Sequence, residues 1–186
     1  MALLNIRELG DPCLQKHCKE VKLITPRIQQ LVDDMYETMY EAGGVGLAAP
    51  QVGILKRIVV IDVTPEPEEG EEPLPEEEWQ IFTMINPRIL SEEGMQRGYE
   101  GCLSYPGMSG IVTRPEKVTV EYTDIEGELC ELTGEGLLAR AICHELDHLD
   151  GIMYTDKAEG EVLSNEEIER RREEAEKNGK AGEGES

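Results

Sequence analysis

The sequence predicts an α+β fold in which antiparallel or mixed β-sheets wrap around a central metal-binding helix, with one helix near the N-terminus and one near the C-terminus. Three observations lead to this prediction. Short β-branched runs have the composition of strands, two segments place apolar residues at helical spacing, and the second of these carries two of the chain's three histidines, four residues apart. Side chains at i and i+4 lie on one helix face, so such a pair can bind one metal ion.

Length and charge narrow the class of protein. The 186 residues suit one main domain, expected at 1–160, followed by a C-terminal helix and a disordered polar tail at 161–186. A formal net charge of −22 opposes direct binding to nucleic acid or to an anionic membrane. Without a signal pattern or an apolar stretch of membrane-spanning length, the chain is expected to be cytoplasmic and to have no membrane partner.

The five cysteines are odd in number and irregular in spacing, which favours reduced thiols over a disulfide framework. Cys13, His17 and Cys18 lack a fourth candidate ligand, so we interpret them as structural. Any cysteine chemistry is then metal ligation or nucleophilic attack.

The first predicted helix follows an irregular start at residues 2–23. Thr25 supplies an N-cap and Pro26 a first-turn proline, and Gly43-Gly44 ends the helix. Its apolar residues recur at helical spacing: Ile28, Leu31, Val32, Met35 and Met39. The two methionines are expected in the core.

Residues 44–51 read GVGLAAPQ, a stretch of small side chains and low charge. Glycine allows the backbone to approach a ligand closely, whereas the simpler interpretation is a buried turn between helix and strand. Gln51 is its one polar side chain with hydrogen-bonding reach, so it is a candidate for a polarising role.

The middle of the chain alternates strands with turns. Residues 58–63 are a β-branched run, residues 64–79 form an acidic, proline-rich surface insertion expected to be mobile, and residues 79–86 return to strand character before Asn86-Pro87 turns the chain. Cys102 lies in a loop punctuated by glycine and proline at 100–107. Residues 117–122 and 128–132 predict a hairpin.

The second predicted helix begins at about Gly134 or Glu135 and ends at Gly151. Leu137, Ala141, His144 and His148 share one face, which turns the imidazoles toward the core, while Cys143 faces away and is expected to be buried. Glu145 follows the first histidine and is long enough to reach a water on a metal ion. A last helix is expected from Ser164 to Lys177, followed by a polar tail.

A catalytic site on such a helix needs a third ligand and one open position. A histidine six residues after His148 is excluded, because Tyr154 stands there. Glu166 or Glu167 downstream would make a metallopeptidase, and Cys102 would supply a thiolate from a distant loop. The spacing leaves both candidates for the third ligand open.

Three motifs, taken in order, resemble the peptide deformylase family over about residues 3–157. They are GVGLAAPQ at 44–51, EGCLS at 100–104 and HELDH at 144–148, and all three are intact. The resemblance implies a hydrolase that removes the formyl group from N-formylmethionyl nascent polypeptides and releases formate. It also implies one divalent ion held by Cys102, His144 and His148, with Fe²⁺ as the native ion and Zn²⁺ or Ni²⁺ as alternatives.

The same resemblance implies roles for the surrounding residues. Glu145 would move the proton, and the backbone N–H of Leu103 with the amide of Gln51 would stabilise the developing oxyanion. Gly44, Val45 and Gly46 would pair with the peptide backbone, and Leu137 would line the pocket for the methionine side chain.

Two further implications concern ligand orientation and partners. Glu100 and Arg114 would form a link that orients the loop carrying Cys102. Members of the family often carry a basic C-terminal helix that docks on the ribosome, which implies a transient ribosome association. This chain departs from that pattern, because from Asp156 onward it has eleven acidic residues against six basic ones. A homologue kept only as a translation-associated binding protein should have lost Glu145 or Gln51, and both are present.

Overall fold

The computed structural model describes residues 2–182, which fold into three α-helices and eight β-strands. The helices are α1 (Pro26–Glu41), α2 (Leu137–Leu149) and α3 (Asn165–Gly182). The strands are β1 (Gly46–Ala48), β2 (Ile58–Asp62), β3 (Ile81–Glu93), β4 (Gln96–Cys102), β5 (Tyr105–Arg114), β6 (Lys117–Thr123), β7 (Leu129–Glu135) and β8 (Glu159–Ser164). Short 3₁₀ helices occur at Pro12–Gln15, Ala49–Val52, Glu76–Glu78 and Tyr154–Asp156.

The strands form two sheets. One has five strands in the order β1-β2-β3-β6-β7, the other has three in the order β4-β5-β8, and every pairing between these strands is antiparallel. With α2 packed on the larger sheet, this arrangement confirms the predicted α+β class.

The larger sheet is covered by helices on both faces, and β2 shows why. Val59 and Ile61 pack in one apolar cluster with α2, whereas Ile58 and Val60 pack in a second cluster with α1. All four side chains are fully buried. A strand with two covered faces needs no polar alternation, which explains the unbroken β-branched run that made it recognisable.

The predicted first helix is confirmed. The Thr25 hydroxyl accepts a hydrogen bond from the Ile28 N–H at 3.3 Å, which caps the first turn. Met35 and Met39 are fully buried, as the helical spacing indicated.

The predicted turn at Asn86-Pro87 is wrong, because β3 continues through it to Glu93. Asn86 has φ 51°, and the register against β6 shifts between Ile85 and Arg88. The Asn86 side chain accepts from the Val21 N–H and donates to the Val21 carbonyl, each at 2.8 Å, which holds this irregular position. A bulge tolerates the missing N–H of proline, so the strand bends where a turn was expected.

The predicted loop around Cys102 is also wrong. β4 runs to Cys102, and Leu103 and Ser104 turn the chain into β5. Four glycines within residues 96–114 conceal the alternation that would have indicated a hairpin. β8 was likewise missed, and it pairs with β5 through Ser109 and Leu163.

The hairpin of β6 and β7 is confirmed, and α2 begins at Leu137, slightly later than predicted. The Ser164 hydroxyl accepts from the Glu167 N–H at 3.2 Å, as expected of an N-cap. α3 extends beyond Lys177 to Gly182, and residues 183–186 of the expected tail lie outside the described residues. β8 crosses the expected domain boundary at 160.

Across residues 2–182, none of the helices combines the length and the apolar character that a bilayer span requires. The Pro/Glu-rich segment at 64–79 is largely exposed, and the Trp79 indole donates to the Leu74 carbonyl at 3.0 Å.

Candidate active site

α2 brings His144 and His148 together inside the protein. Their ring centroids are 5.0 Å apart, and both residues are buried. The helix can place imidazoles in the core because its flanking residues are apolar and pack against the larger sheet: Ala139, Ile142, Leu146 and Leu149. The predicted inward orientation of the two histidines is therefore confirmed.

Cys102 completes a three-residue cluster with these histidines. Its sulfur lies 3.3 Å from Nε2 of His148, and one donor atom from each of Cys102, His144 and His148 lies within 4.8 Å of the others. Ligands held at about 2.0 to 2.3 Å on a tetrahedral ion lie roughly 3.3 to 3.8 Å apart, so the cluster fits a single ion. Within residues 2–179 no other group of histidine, cysteine and carboxylate side chains meets that spacing.

Glu100 fixes the orientation of His144. Its carboxylate accepts a hydrogen bond from Nδ1 of His144 at 2.6 Å, which leaves Nε2 of that ring as the atom able to bind a metal. The same carboxylate accepts two bonds from Arg114, both at 2.8 Å, and one from Arg140 at 2.6 Å. The link expected between Glu100 and Arg114 is thus present, and it is bidentate.

The charges of this network shift the pKa values of its members. Burial alone would raise the pKa of Glu100, but the hydrogen bonds from Arg114 and His144 lower it well below its usual range. Burial alone would lower the pKa of His144, but its hydrogen bonds to Cys102 and Glu100 raise it to about 10. Burial and the neighbouring His144 lower the pKa of His148 well below its usual value.

Glu145 lies beside the cluster without a hydrogen-bonding anchor. It is 4% exposed, and Oε2 is buried with no partner in the described part of the chain. Burial raises the pKa of this carboxyl to about 7. A carboxylate with a pKa near neutrality can both accept and return a proton, which is the property of a general acid–base catalyst.

Gln51 and the turn after β4 border the same space. The Gln51 amide oxygen accepts from the Ala48 N–H at 2.9 Å, and its nitrogen donates to the Ser104 hydroxyl at 3.1 Å. The amide nitrogen also lies 3.4 Å from the Cys102 sulfur. Because the bond to Ala48 fixes the flip of the amide, its N–H groups point toward the cluster.

A cleft of about 730 Å³ opens onto these groups. Its lining includes every expected catalytic, peptide-binding and metal-binding residue except the innermost ligand, His148. Gly44, Val45 and Gly46 line it where the chain enters β1, which is an edge strand because β2 pairs with only one of its sides. A free strand edge can pair with an extended peptide. Leu137 lines the cleft as well and is 57% exposed.

Glu166 and Glu167, the alternative ligands, do not belong to the cluster. The Glu167 carboxylate instead accepts hydrogen bonds from Arg170 and Arg171 on α3. Tyr154 stacks on the His144 ring, with centroids 6.2 Å apart.

Sequence reasoning missed Arg140 and Asp147. Arg140 precedes His144 by one helical turn, and Asp147 accepts from Arg114 at 2.6 Å. The i, i+4 spacing of Arg140 and His144 was the signal that could have identified the arginine.

Comparisons with known proteins agree with the geometry. The family model described as "Polypeptide deformylase" matches residues 3–163. A peptide deformylase of Lachnoclostridium phytofermentans is 56% identical over 87% of this chain and 93% of its own length. One from Agathobacter rectalis is 57% identical over 86% of this chain and 92% of its own.

Solved structures show the same similarity in three dimensions. A peptide deformylase from Synechococcus elongatus in complex with actinonin matches with a TM-score of 0.75 and 42% identity, over 84% of this chain and 81% of that one. A peptide deformylase from Legionella pneumophila matches with a TM-score of 0.75 and 39% identity, over 97% and 98% of the two chains.

Proposed function

Since the chain belongs to the polypeptide deformylase family and is a metal-dependent hydrolase that removes the formyl group from nascent peptides, we propose that Cys102, His144 and His148 hold its divalent ion. The observation that carries this proposal is the three-donor cluster, which fits one ion and faces the cleft. A divalent ion in such a site supplies Lewis acidity and lowers the pKa of a coordinated water.

Glu145 is the proposed proton carrier. It accepts a proton from the attacking water and returns it to the leaving amine, so that formate and a free N-terminus are released. Its position beside the ligands and the elevated pKa of its buried carboxyl support both halves of this role.

Leu103 and Gln51 are the proposed donors to the formyl oxygen. As water adds to the formyl carbon, negative charge develops on that oxygen and needs fixed donors near it. The Gln51 amide is held by Ala48 and is 1% exposed, so little reorganisation is needed at the moment of reaction. The backbone N–H of Leu103 belongs to the tight turn that follows Cys102.

The peptide itself is proposed to add a strand to β1. Gly44, Val45 and Gly46 would supply backbone hydrogen bonds, and Leu137 would form part of the apolar wall for the methionine side chain. The lining runs from Gly46, the first residue of β1, back to Ala42 and does not include the buried Leu47 and Ala48. The peptide would therefore run from Glu145 toward the C-terminal end of α1.

We also propose that iron is the native ion, that the protein is cytoplasmic and that it contacts the ribosome transiently. A single thiolate among the ligands favours a soft, redox-active ion without dictating it. The ribosome contact would be weak, because Arg170 and Arg171 on α3 are already paired with glutamates of the same helix.

The test is formate release from formyl-Met-Ala-Ser by protein loaded anaerobically with iron, and in parallel with zinc or nickel. We expect Glu145→Gln to retain stoichiometric metal and lose turnover. We expect Cys102→Ala to lose the metal, whereas Glu166→Ala and Glu167→Ala should keep it. Metal retention in Cys102→Ala, or an active Glu145→Gln, would reject the assignment.

A further inference from the structure

Gly46 lies against the Glu145 side chain, so closely that a Cβ atom at position 46 would overlap it. A Cβ atom built on Gly46 would be 2.5 Å from Oε1 of Glu145 and 2.9 Å from both its Cδ and Cγ. Contacts below 3.0 Å between such atoms do not persist, so one partner would have to move. The Glu145 carboxylate therefore occupies the space that a side chain at position 46 would fill.

Packing has to position Glu145, because its side chain makes no hydrogen bond within residues 2–179. Its Oε2 is buried without a partner in residues 2–179, in contrast to Glu100, whose two oxygens accept four hydrogen bonds. The strand side of the carboxylate is formed by Gly46, and β1 cannot retreat because β2 pairs with it from Gly46 to Ala48.

We propose that Gly46 is a positioning residue for Glu145, and that its lack of a side chain sets where the carboxylate lies relative to Cys102, His144 and His148. This inference rests on the proposed function, and it assigns Gly46 a role beyond backbone pairing with the peptide. A methyl group at position 46 pushes the carboxylate away from the attacking water. The peptide still pairs with the β1 backbone, and the ligands keep their places.

The central variant is Gly46→Ala in the metal-loaded enzyme. Displacement of a catalytic group by about 1 Å lowers turnover by roughly 100-fold, so we expect kcat to fall by about that factor. We expect KM to change less than about threefold, and the metal content to stay stoichiometric. Gly98→Ala is the matched control, since its added Cβ meets Nη2 of Arg140 at an ordinary 3.5 Å, and its kcat should match the wild type.

A double-mutant cycle with Glu145→Asp separates positioning from general damage. The shorter aspartate lowers kcat strongly when Gly46 is present, because its carboxylate falls short. In the Gly46→Ala background the shorter side chain relieves the overlap, so the same substitution should lower kcat by less than about fivefold. Additive losses in the two backgrounds would overturn the proposal.

The remaining outcomes are also decisive. Wild-type kcat in Gly46→Ala, or a loss confined to KM, would show that the glycine serves only the peptide. If Gly46→Ala fails to fold, recovery of folding in Gly46→Ala/Glu145→Asp supports the overlap, and no recovery contradicts it. Absence of formate release by the wild-type protein would instead reject the proposed function, which keeps the two failures distinguishable.

Discussion

Replacing Glu100 with glutamine should destabilise the protein far more than a single lost charge on the surface would. The side chain of Glu100 is 5% exposed, and its partners Arg114 and Arg140 are 2% and 11% exposed. Removing one partner of a buried ion pair leaves the opposite charge uncompensated, which costs about 3–5 kcal/mol. Arg114 keeps its bond to Asp147, so we expect about 3 kcal/mol.

The magnitude can be checked by urea and thermal unfolding. For a chain of this size, about 3 kcal/mol corresponds to a fall in Tm of roughly 6–12 °C. Because Glu100 also orients His144, metal affinity measured by chelator competition should fall roughly 10- to 100-fold. Glu121→Gln is the control, since it breaks an exposed pair with Arg88 and should cost less than about 1 kcal/mol.

The pH dependence follows from the depressed pKa of Glu100. The folded state holds the carboxylate deprotonated below the usual glutamate pKa of about 4.3, so its stabilisation is complete above roughly pH 5 and is lost as the pH falls. The difference in unfolding free energy between wild type and Glu100→Gln should be constant from pH 6 to 8 and shrink below about pH 4. Equal stability of the two proteins at pH 7 would refute the reasoning.

Three other outcomes are expected. Gln51→Ala should lower kcat by about 10²- to 10³-fold with the metal retained, and a kcat unchanged in formate assays would remove the amide from the oxyanion role. Metal affinity should rise with pH between 7 and 9 by at least about tenfold per unit, because binding at His144 must displace a proton whose pKa is raised to about 10 and Cys102 must bind as the thiolate. A flat profile in chelator titrations contradicts this. Gly151→Ala should lower the free energy of unfolding by about 1–3 kcal/mol, since its Cβ would lie 2.6 Å from the backbone of Gln15. Gly160→Ala is the control, because Gly160 also has φ 75° and its added Cβ would meet no atom within 4 Å. Equal urea midpoints for the two variants would exclude the overlap as the cause.

The residues with strong local signals were predictable from the sequence. The cap at Thr25, the β-branched run of β2 and the histidine pair of α2 each depend on neighbours within a few positions, and each was confirmed. The proximity of Cys102 to these histidines was different. It depends on β4 pairing with β5 across a glycine-rich stretch. The search for a third ligand left Cys102 and the glutamates near 166 open, and only the family resemblance chose between them.

The features that the sequence did not predict correctly share one physical cause, which is contact between residues far apart in the chain. At Asn86 the local turn signal was overridden by two hydrogen bonds to Val21, a residue 65 positions away. The fourfold hydrogen bonding of Glu100 likewise depends on Arg114 and Arg140, which come from a different strand and a helix. Tertiary contacts of this kind leave no periodicity in the sequence. The resemblance implied the link to Arg114, and the helical spacing before His144 was the only local signal for Arg140.

The shortness of β1 limits pairing between copies of the protein at this edge of the larger sheet. An unpaired strand edge can pair with the edge of another molecule and seed an extended intermolecular sheet. β1 has only three residues, and the chain turns into the 3₁₀ helix at Ala49–Val52 directly after it. With three residues, β1 offers too short an edge to template a growing sheet between molecules. The charge of −22 adds mutual repulsion between copies.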